Sequence, residues 1–390
     1  MDWTVSHDRQ DEVFGGAFDV LREAIAARAF PAASVAVTFE GKLVALRSLG
    51  SFVYECEGES PASRDSSDRQ GVKIPTSISG DIPLPSISTL FDLASVTKAV
   101  ATTTMAAILY ERGLLELDSP VVGVVPEFAC DASGEKDRRR GDITFRMLLT
   151  HSSGLPAYER LFLKAKTREE LLGAAFSTSL SADPGARAEY SDIGFIILGV
   201  ALERMAEESL DRFCQREIFG PLGMVNTTFN PPVAMRAAIP PTADDLTFRQ
   251  RMIQGEVQDE NAWVLGGVAG HAGLFSTAED VARFAQVMLE GGAPILRPET
   301  VALFTRREST PAGTSRALGW DTPSAPSQSG KYFSASSYGH LGYTGTSLWI
   351  DPKRQLSITL LTNRTWPDCA NQAIKQVRPR FHDAVVEALE

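Results

Sequence analysis

The chain has 390 residues, 43% of them hydrophobic, and a formal net charge of −11. That length buries a core with room for two or three lobes, while the acidic balance excludes a surface made for nucleic acid or an anionic membrane, both of which need concentrated Lys and Arg. The four cysteines, Cys56, Cys130, Cys214 and Cys369, form no C-x-x-C pair and have no His at ligand spacing, which argues against a disulfide framework and against a zinc site.

The opening MDWTVSHDRQDEVFGG carries charges where an export signal needs an apolar core of about 7–15 residues. No later stretch approaches the ~20 apolar residues of a membrane span, so the expectation is a cytoplasmic protein with no membrane partner. Phe14, Phe18, Leu21 and Ile25 recur at intervals of 4, 3 and 4 and predict a first helix with one buried face. SVAVTF and KLVALRS, separated by Glu40 and Gly41, predict a β-hairpin. Residues 56–88 are crowded with Ser, Pro, Gly and Asp and read as a long surface excursion.

From about Ile143 to Leu318 the pattern is mainly helical, punctuated by Pro184-Gly185, Pro221-Leu222-Gly223 and Pro231-Pro232. The basic run Lys136 to Arg140 ahead of it reads as a solvated loop. Near the end, TSLWID and QLSITLLT predict a second hairpin, with Leu356, Ile358 and Leu360 alternating with polar residues. Ile374, Val377, Phe381, Val385 and Leu389 then lie on one stripe of a last helix. This order implies an α/β (α+β) fold. Residues 1–142 and 319–390 build one α/β lobe from both ends, and 143–318 form a helical lobe between them.

A serine hydroxyl is a weak nucleophile at neutral pH, and a serine hydrolase must set a proton acceptor beside it and donors where the oxyanion develops. Ser95-Val96-Thr97-Lys98 meets the first demand: at the start of a helix running to Gly113, residues i and i+3 share a face with Cβ atoms about 5–6 Å apart. The helix N-terminus adds free N–H groups and a positive dipole end. The same spacing occurs at Ser133 and Lys136, within the charged loop from Asp131 to Asp142. Taken alone, Ser95 is equally an ordinary helix cap. Tyr190-Ser191-Asp192 stands before the apolar helix from Ile193 to Met205, which would leave Tyr190 facing outward at a helix entrance, and His340-Leu341-Gly342-Tyr343-Thr344-Gly345 precedes a strand. No G-x-S-x-G elbow and no H-E-x-x-H pair occurs, which removes the α/β-hydrolase and zincin patterns. His151 and His271, in Gly/Ser-rich turns, are expected to serve structural hydrogen bonds.

With FDLASVTK at 91–98, LLTHSSGLP at 148–156, PGARAEYSD at 184–192, GGVAGHAGLFST at 266–277, GHLGYTGTSLWIDP at 339–352 and LLTNRTWP at 360–367, the chain resembles the class C β-lactamase superfamily over nearly its whole length. That superfamily includes low-molecular-weight penicillin-binding proteins and family VIII carboxylesterases. The resemblance implies an antiparallel sheet flanked by N- and C-terminal helices, plus a helical lobe, with the active site between the two. It implies Ser95 as the acylated nucleophile and Lys98 and Tyr190 as its proton-handling partners, the base being open between the two. The backbone N–H groups of Ser95 and Tyr343 would form the oxyanion hole, and Gly342 would keep the strand edge clear for substrate. Neither a metal nor another cofactor is implied.

Three departures from the superfamily pattern bear on substrate. Asp192 stands where the usual residue is Asn, replacing an amide with a carboxylate that only accepts. His340 stands in place of Lys and Leu341 in place of Thr, at positions that help hold a substrate carboxylate. Arg364 offers a positive charge whose aim the sequence does not give. The resulting expectation is a carboxylesterase acting on a small ester or amide, with a β-lactamase, a D-alanyl carboxypeptidase or D-amino peptidase, and a catalytically dead binding scaffold as alternatives.

Overall fold

The computed structural model describes residues 4–54, 82–131 and 133–390; the excursion read at 56–88 lies outside the described residues as far as 81. Eleven strands among them are numbered in chain order: β1 Thr4–Val5, β2 Ala32–Phe39, β3 Lys42–Gly50, β4 Phe91–Asp92, β5 Thr228–Phe229, β6 Pro241–Asp245, β7 Arg251–Gln254, β8 Leu274–Ser276, β9 Tyr338–Leu341, β10 Ser347–Asp351 and β11 Leu356–Thr362. Five helices carry the argument: α1 Gly15–Ala26, α2 Thr104–Glu111, α3 Asp192–Ala206, α4 Ala278–Leu289 and α5 Ile374–Leu389.

The main sheet has the order β1-β3-β2-β11-β10-β9, antiparallel except where β1 joins β3. Strand alternation divides β2 between two cores. Ala33, Val35 and Val37 join Phe18 and Leu21 of α1, Phe381 and Val385 of α5, and Leu356, Ile358 and Leu360 of β11. Ala32 and Ala36 face the other way, toward Phe284, Ala285 and Met288 of α4. On that second face the buried hydroxyls pair across strands, Thr38 with Ser357 at 2.6 Å. Pro379 lies inside α5 and has no N–H to give the carbonyl four residues back. That carbonyl, Lys375 O, accepts instead from the Gln328 side-chain amide at 3.1 Å.

The lobe between the two sheet-forming ends is built on α3, whose residues Ile193 to Leu202 are all buried, the signature of a helix enclosed on every side. Ser191 caps it by accepting from Gly194 N–H at 3.0 Å. Beside the main sheet the structure adds short strand pairs that the 3.6-residue pattern does not predict: β6 with β7, and a three-stranded piece in the order β4-β8-β5, which joins the N-terminal part of the chain to the middle. The latter is what presents Ser95, because β4 ends three residues before it. Among the described residues, no helix is long and apolar enough to cross a membrane.

Candidate active site

Ser95 stands in a turn between β4 and the helix that leads into α2. Leu93 N–H bonds to Leu274 O of β8 at 2.9 Å, after which the chain reverses sharply at Ala94, whose φ is +47°. For alanine that conformation costs about 1–2 kcal/mol, and the buried Asp92 carboxylate holds it in place by accepting from Ala94 N–H at 2.8 Å and from Gln258 N–H at 2.6 Å. Burial pushes the Asp92 carboxyl up to about 6 against those two donors. The helix opens immediately after Ser95 with Lys98 N–H donating to Ser95 O at 3.0 Å, and is π-helical over Lys98–Thr103, a local widening that recurs at functional sites. Gly113 ends it, with a positive φ.

Three side chains meet at one oxygen. Ser95 Oγ lies 2.9 Å from Lys98 Nζ and accepts from the Tyr190 hydroxyl at 2.7 Å. Lys98, fully buried, also reaches Asp192 Oδ1 at 2.6 Å and His271 O at 2.8 Å. Two of the three partners are obligate acceptors, so a neutral amine satisfies both with its two N–H groups and turns its lone pair to the Ser95 hydroxyl, while an ammonium donates to all three. Burial pulls Lys98 below the ordinary lysine range, opposed by the charge of Asp192. Burial pushes the Tyr190 phenol well above its usual value, and the same Asp192 charge adds to the rise. The two shifts separate the candidates for proton acceptor: the amine is made easier to deprotonate, the phenol harder.

Tyr190 is half-buried rather than facing outward. Its neighbours on both sides are strapped to His151, Glu189 N–H donating to His151 O at 2.8 Å and Ser191 N–H to His151 Nδ1 at 3.0 Å, and its ring sits 4.7 Å from the His151 ring. Burial holds His151 well below its ordinary range, which keeps Nδ1 a lone pair able to accept. Asp192 is the counter-ion of Lys98, a role its place in the sequence did not reveal. His271 contributes its carbonyl to Lys98 while its ring bonds Asp259 at 2.8 Å.

The C-terminal motif divides between the two faces of β9. His340 points toward the site, its ring 6.3 Å from that of Tyr190. Burial, with the charge of Lys98, takes it down to about 3, so it is neutral at physiological pH. Its Nδ1 meets Leu341 O at 2.8 Å, and among the described residues Nε2 has no partner. Leu341, one residue on, packs against the apolar cluster of α1 and α5 instead of lining the site, as the two-residue period of a strand requires. The expectation for Gly342 changes too: a Cβ there would fall on Thr346 Oγ1 and Leu93 O, so the glycine serves a close approach inside the protein, not clearance for substrate. Thr344 and Thr346 bond from this turn to Asp92 O and Leu93 O, both at 2.8 Å. Tyr343 is half-exposed, and among the described residues neither its N–H nor that of Ser95 has an intramolecular acceptor. Arg364 is buried; it lies 4.4 Å from the Tyr343 ring centroid and donates to Tyr343 O at 2.6 Å.

Sequence reasoning missed Arg316. Its guanidinium lies 5.6 Å from the Tyr190 ring centroid, with Asp321 3.7 Å away, and its positive charge acts on Lys98, His151, Tyr190 and His340. It stands in an irregular segment between α4 and β9 that carries neither periodicity nor motif. Among the described residues, no group of three or more His, Cys, Asp or Glu side chains is arranged to hold a metal.

The β-lactamase family model matches residues 18–378. A putative D-alanyl-D-alanine carboxypeptidase of Salmonella agona is 34% identical over 322 residues, covering 75% of this chain and 73% of the relative, and one of Salmonella typhimurium is 34% identical over 318. Among solved structures, EstCE1, described as a hydrolase with promiscuous acyltransferase activity, superposes with a TM-score of 0.72 at 22% identity, covering 96% of this chain and 99% of its own. A class C β-lactamase does so with a TM-score of 0.71 at 17% identity, covering 99% of both. The extent of the family match and the identity to the carboxypeptidase relatives place the chain in the β-lactamase family of serine hydrolases.

Proposed function

We propose that the protein hydrolyses small carboxylic esters through an acyl-enzyme on Ser95. The observation that carries this reading is the single oxygen, Ser95 Oγ, set 2.9 Å from a buried lysine amine and 2.7 Å from a tyrosine hydroxyl. As Oγ attacks the ester carbonyl, its proton passes to neutral Lys98, and the carbonyl oxygen becomes an anion held by the free N–H groups of Ser95 and Tyr343. Collapse breaks the bond to the leaving alkoxide, which takes a proton from the Tyr190 hydroxyl while Lys98 returns one to Tyr190. Water then attacks the acyl-enzyme, gives its proton to Lys98 through Tyr190, and releases the acid as Ser95 Oγ recovers a proton. Asp192 and His271 O stabilise the ammonium that forms between these steps.

An uncharged ester suits a site where a neutral His340 replaces an ammonium and Leu341 faces the core. A second reading, hydrolysis of a D-alanyl peptide ending in a carboxylate, is supported by the Arg316 cation beside Tyr190 and by the name of the relatives. The test measures kcat/KM for p-nitrophenyl butyrate, nitrocefin and a D-Ala-D-Ala peptide, with wild type and Arg316→Gln. The ester reading expects the butyrate to lead, and Arg316→Gln to leave it within about threefold. Should the peptide lead and fall about 10- to 100-fold in Arg316→Gln, the loss of one charge-assisted hydrogen bond, the carboxypeptidase reading replaces it. Nitrocefin leading overturns both in favour of a β-lactamase.

A further inference from the structure

The turn that carries Tyr343 is held from beneath by two buried guanidinium groups. Arg364 and Arg378 are 4% and 3% exposed. Arg364 donates through Nε to Tyr343 O and through Nη1 to Cys369 O and Asn371 O, at 2.6, 2.9 and 2.8 Å. Arg378 donates through Nη2 to Gly345 O and Thr346 O, at 3.2 and 3.3 Å, and through Nη1 to Gln328 Oε1 at 2.8 Å. The remaining carbonyl of the turn, Thr344 O, accepts from Arg364 N–H at 2.9 Å and from Thr362 Oγ1 at 3.0 Å. Four consecutive carbonyls, 343 to 346, are thus tied to Arg364, Arg378 and Thr362. Gly345 has room for no side chain, because a Cβ would meet Thr362 Oγ1 and Arg364 Cγ.

Neither guanidinium bonds a carboxylate among the described residues, and the two charges act on each other. Burial, then the charge of Arg364, brings Arg378 down to about 9, which leaves it cationic at neutral pH. Two cations buried together with no carboxylate partner among the described residues are costly, and a core needing only volume would be better served by neutral side chains. Their bonds lead to the free N–H. Gly345 N–H donates to Gly342 O at 3.0 Å and so sets the plane of the peptide whose N–H belongs to Tyr343, while Thr344 and Thr346 tie the same turn to the residues just before Ser95.

We propose that Arg364 and Arg378 are positioning residues for acyl transfer, fixing the peptide planes of the 342–346 turn, with the Tyr343 N–H, against the Ser95 loop and setting two positive charges behind an oxyanion. The proposal rests on the ester-hydrolase reading given above. The experiment compares wild type with Arg364→Gln, Arg364→Lys and Arg378→Met. It measures kcat and KM per Ser95 titrated with a fluorophosphonate, the phosphonylation rate constant by intact mass, and amide exchange across 342–346. The two neutral variants are expected to fold, to lose about 10²-fold in kcat and in phosphonylation rate with KM nearly unchanged, and to exchange the turn amides faster. Arg364→Lys, which keeps the charge but loses the fork, should fall between. Rate constants within twofold of wild type in both neutral variants overturn the proposal, since a purely structural anchor would lower the melting temperature and leave turnover per titrated site intact. If wild type itself shows no labelling of Ser95, the hydrolase reading falls and takes the acyl-transfer role with it, an outcome distinct from a labelled wild type whose neutral variants keep its rate constants. Should Arg378→Met fail to fold, Arg378→Gln takes its place under the same criteria.

Discussion

Ser95-Val96-Thr97-Lys98 and Ser133-Gly134-Glu135-Lys136 are the same pattern in two settings. At the first, Lys98 is fully buried and its amine meets the serine hydroxyl at 2.9 Å. At the second, both residues are exposed, and the Ser133 hydroxyl and N–H turn back to Asp131 Oδ1 at 2.6 and 2.8 Å, a turn closed on itself. Spacing brings a lysine within reach of a serine; burial and fixed acceptors are what make the lysine able to take its proton.

The largest effect expected from this contrast is in turnover. Ser95→Ala should abolish ester hydrolysis, while Ser133→Ala should leave kcat/KM within experimental error, as steady-state assays of both would read. Equal losses would remove the distinction between the two settings. Next come the partners. Lys98→Ala and Tyr190→Phe should each lower kcat by ~10²-fold or more, and the double variant should fall little further because the two act on one proton. Losses that multiply would mean separate roles. Each must be normalised to folded protein, since removing Lys98 leaves the Asp192 carboxylate without its partner, at a cost of about 3–5 kcal/mol.

A subtler test alters only the field around Lys98. In wild type kcat/KM should rise with pH as the amine loses its proton, with a midpoint below the ordinary lysine range because burial disfavours the ammonium. Asp192 raises that midpoint, being the negative neighbour that stabilises the charged form, so Asp192→Asn should shift the rising limb to lower pH. A shift upward, or none, would show that the limb belongs to another group. The smallest effect concerns Leu341→Thr. With that side chain packed against the α1 and α5 cluster, the ratio of β-lactam to ester turnover should change less than twofold, while the melting temperature falls from placing a hydroxyl in an apolar contact. A selective gain in β-lactam turnover would put residue 341 back at the site.

The elements that rest on local pattern were legible. The first helix, both hairpins and α5 follow from side-chain period, and Ser95, Lys98 and Tyr190 stood out by spacing and neighbouring motif. What escaped depends on contacts between distant parts of the chain. Asp192 reads as a helix-entry residue until it is found 94 positions from Lys98 in sequence and 2.6 Å from it in space. Asp92 gives no sign that its carboxylate accepts both from a left-handed Ala94 and from Gln258, 166 positions away. Arg316 and Arg378 belong to no motif, and Leu341 was misplaced because a motif comparison carries residue types without asking which face of the strand each takes.

The central claim, that one Ser–Lys–Tyr group with a buried lysine activates Ser95 alone, is tested most directly by mass spectrometry. The protein is treated with a fluorophosphonate, its intact mass taken, and the adduct mapped by digestion. The account predicts one adduct per chain on the peptide containing Ser95, formed faster as pH rises through the Lys98 transition and absent from Ser95→Ala. An adduct on any other residue, or one that persists in Ser95→Ala, would contradict it.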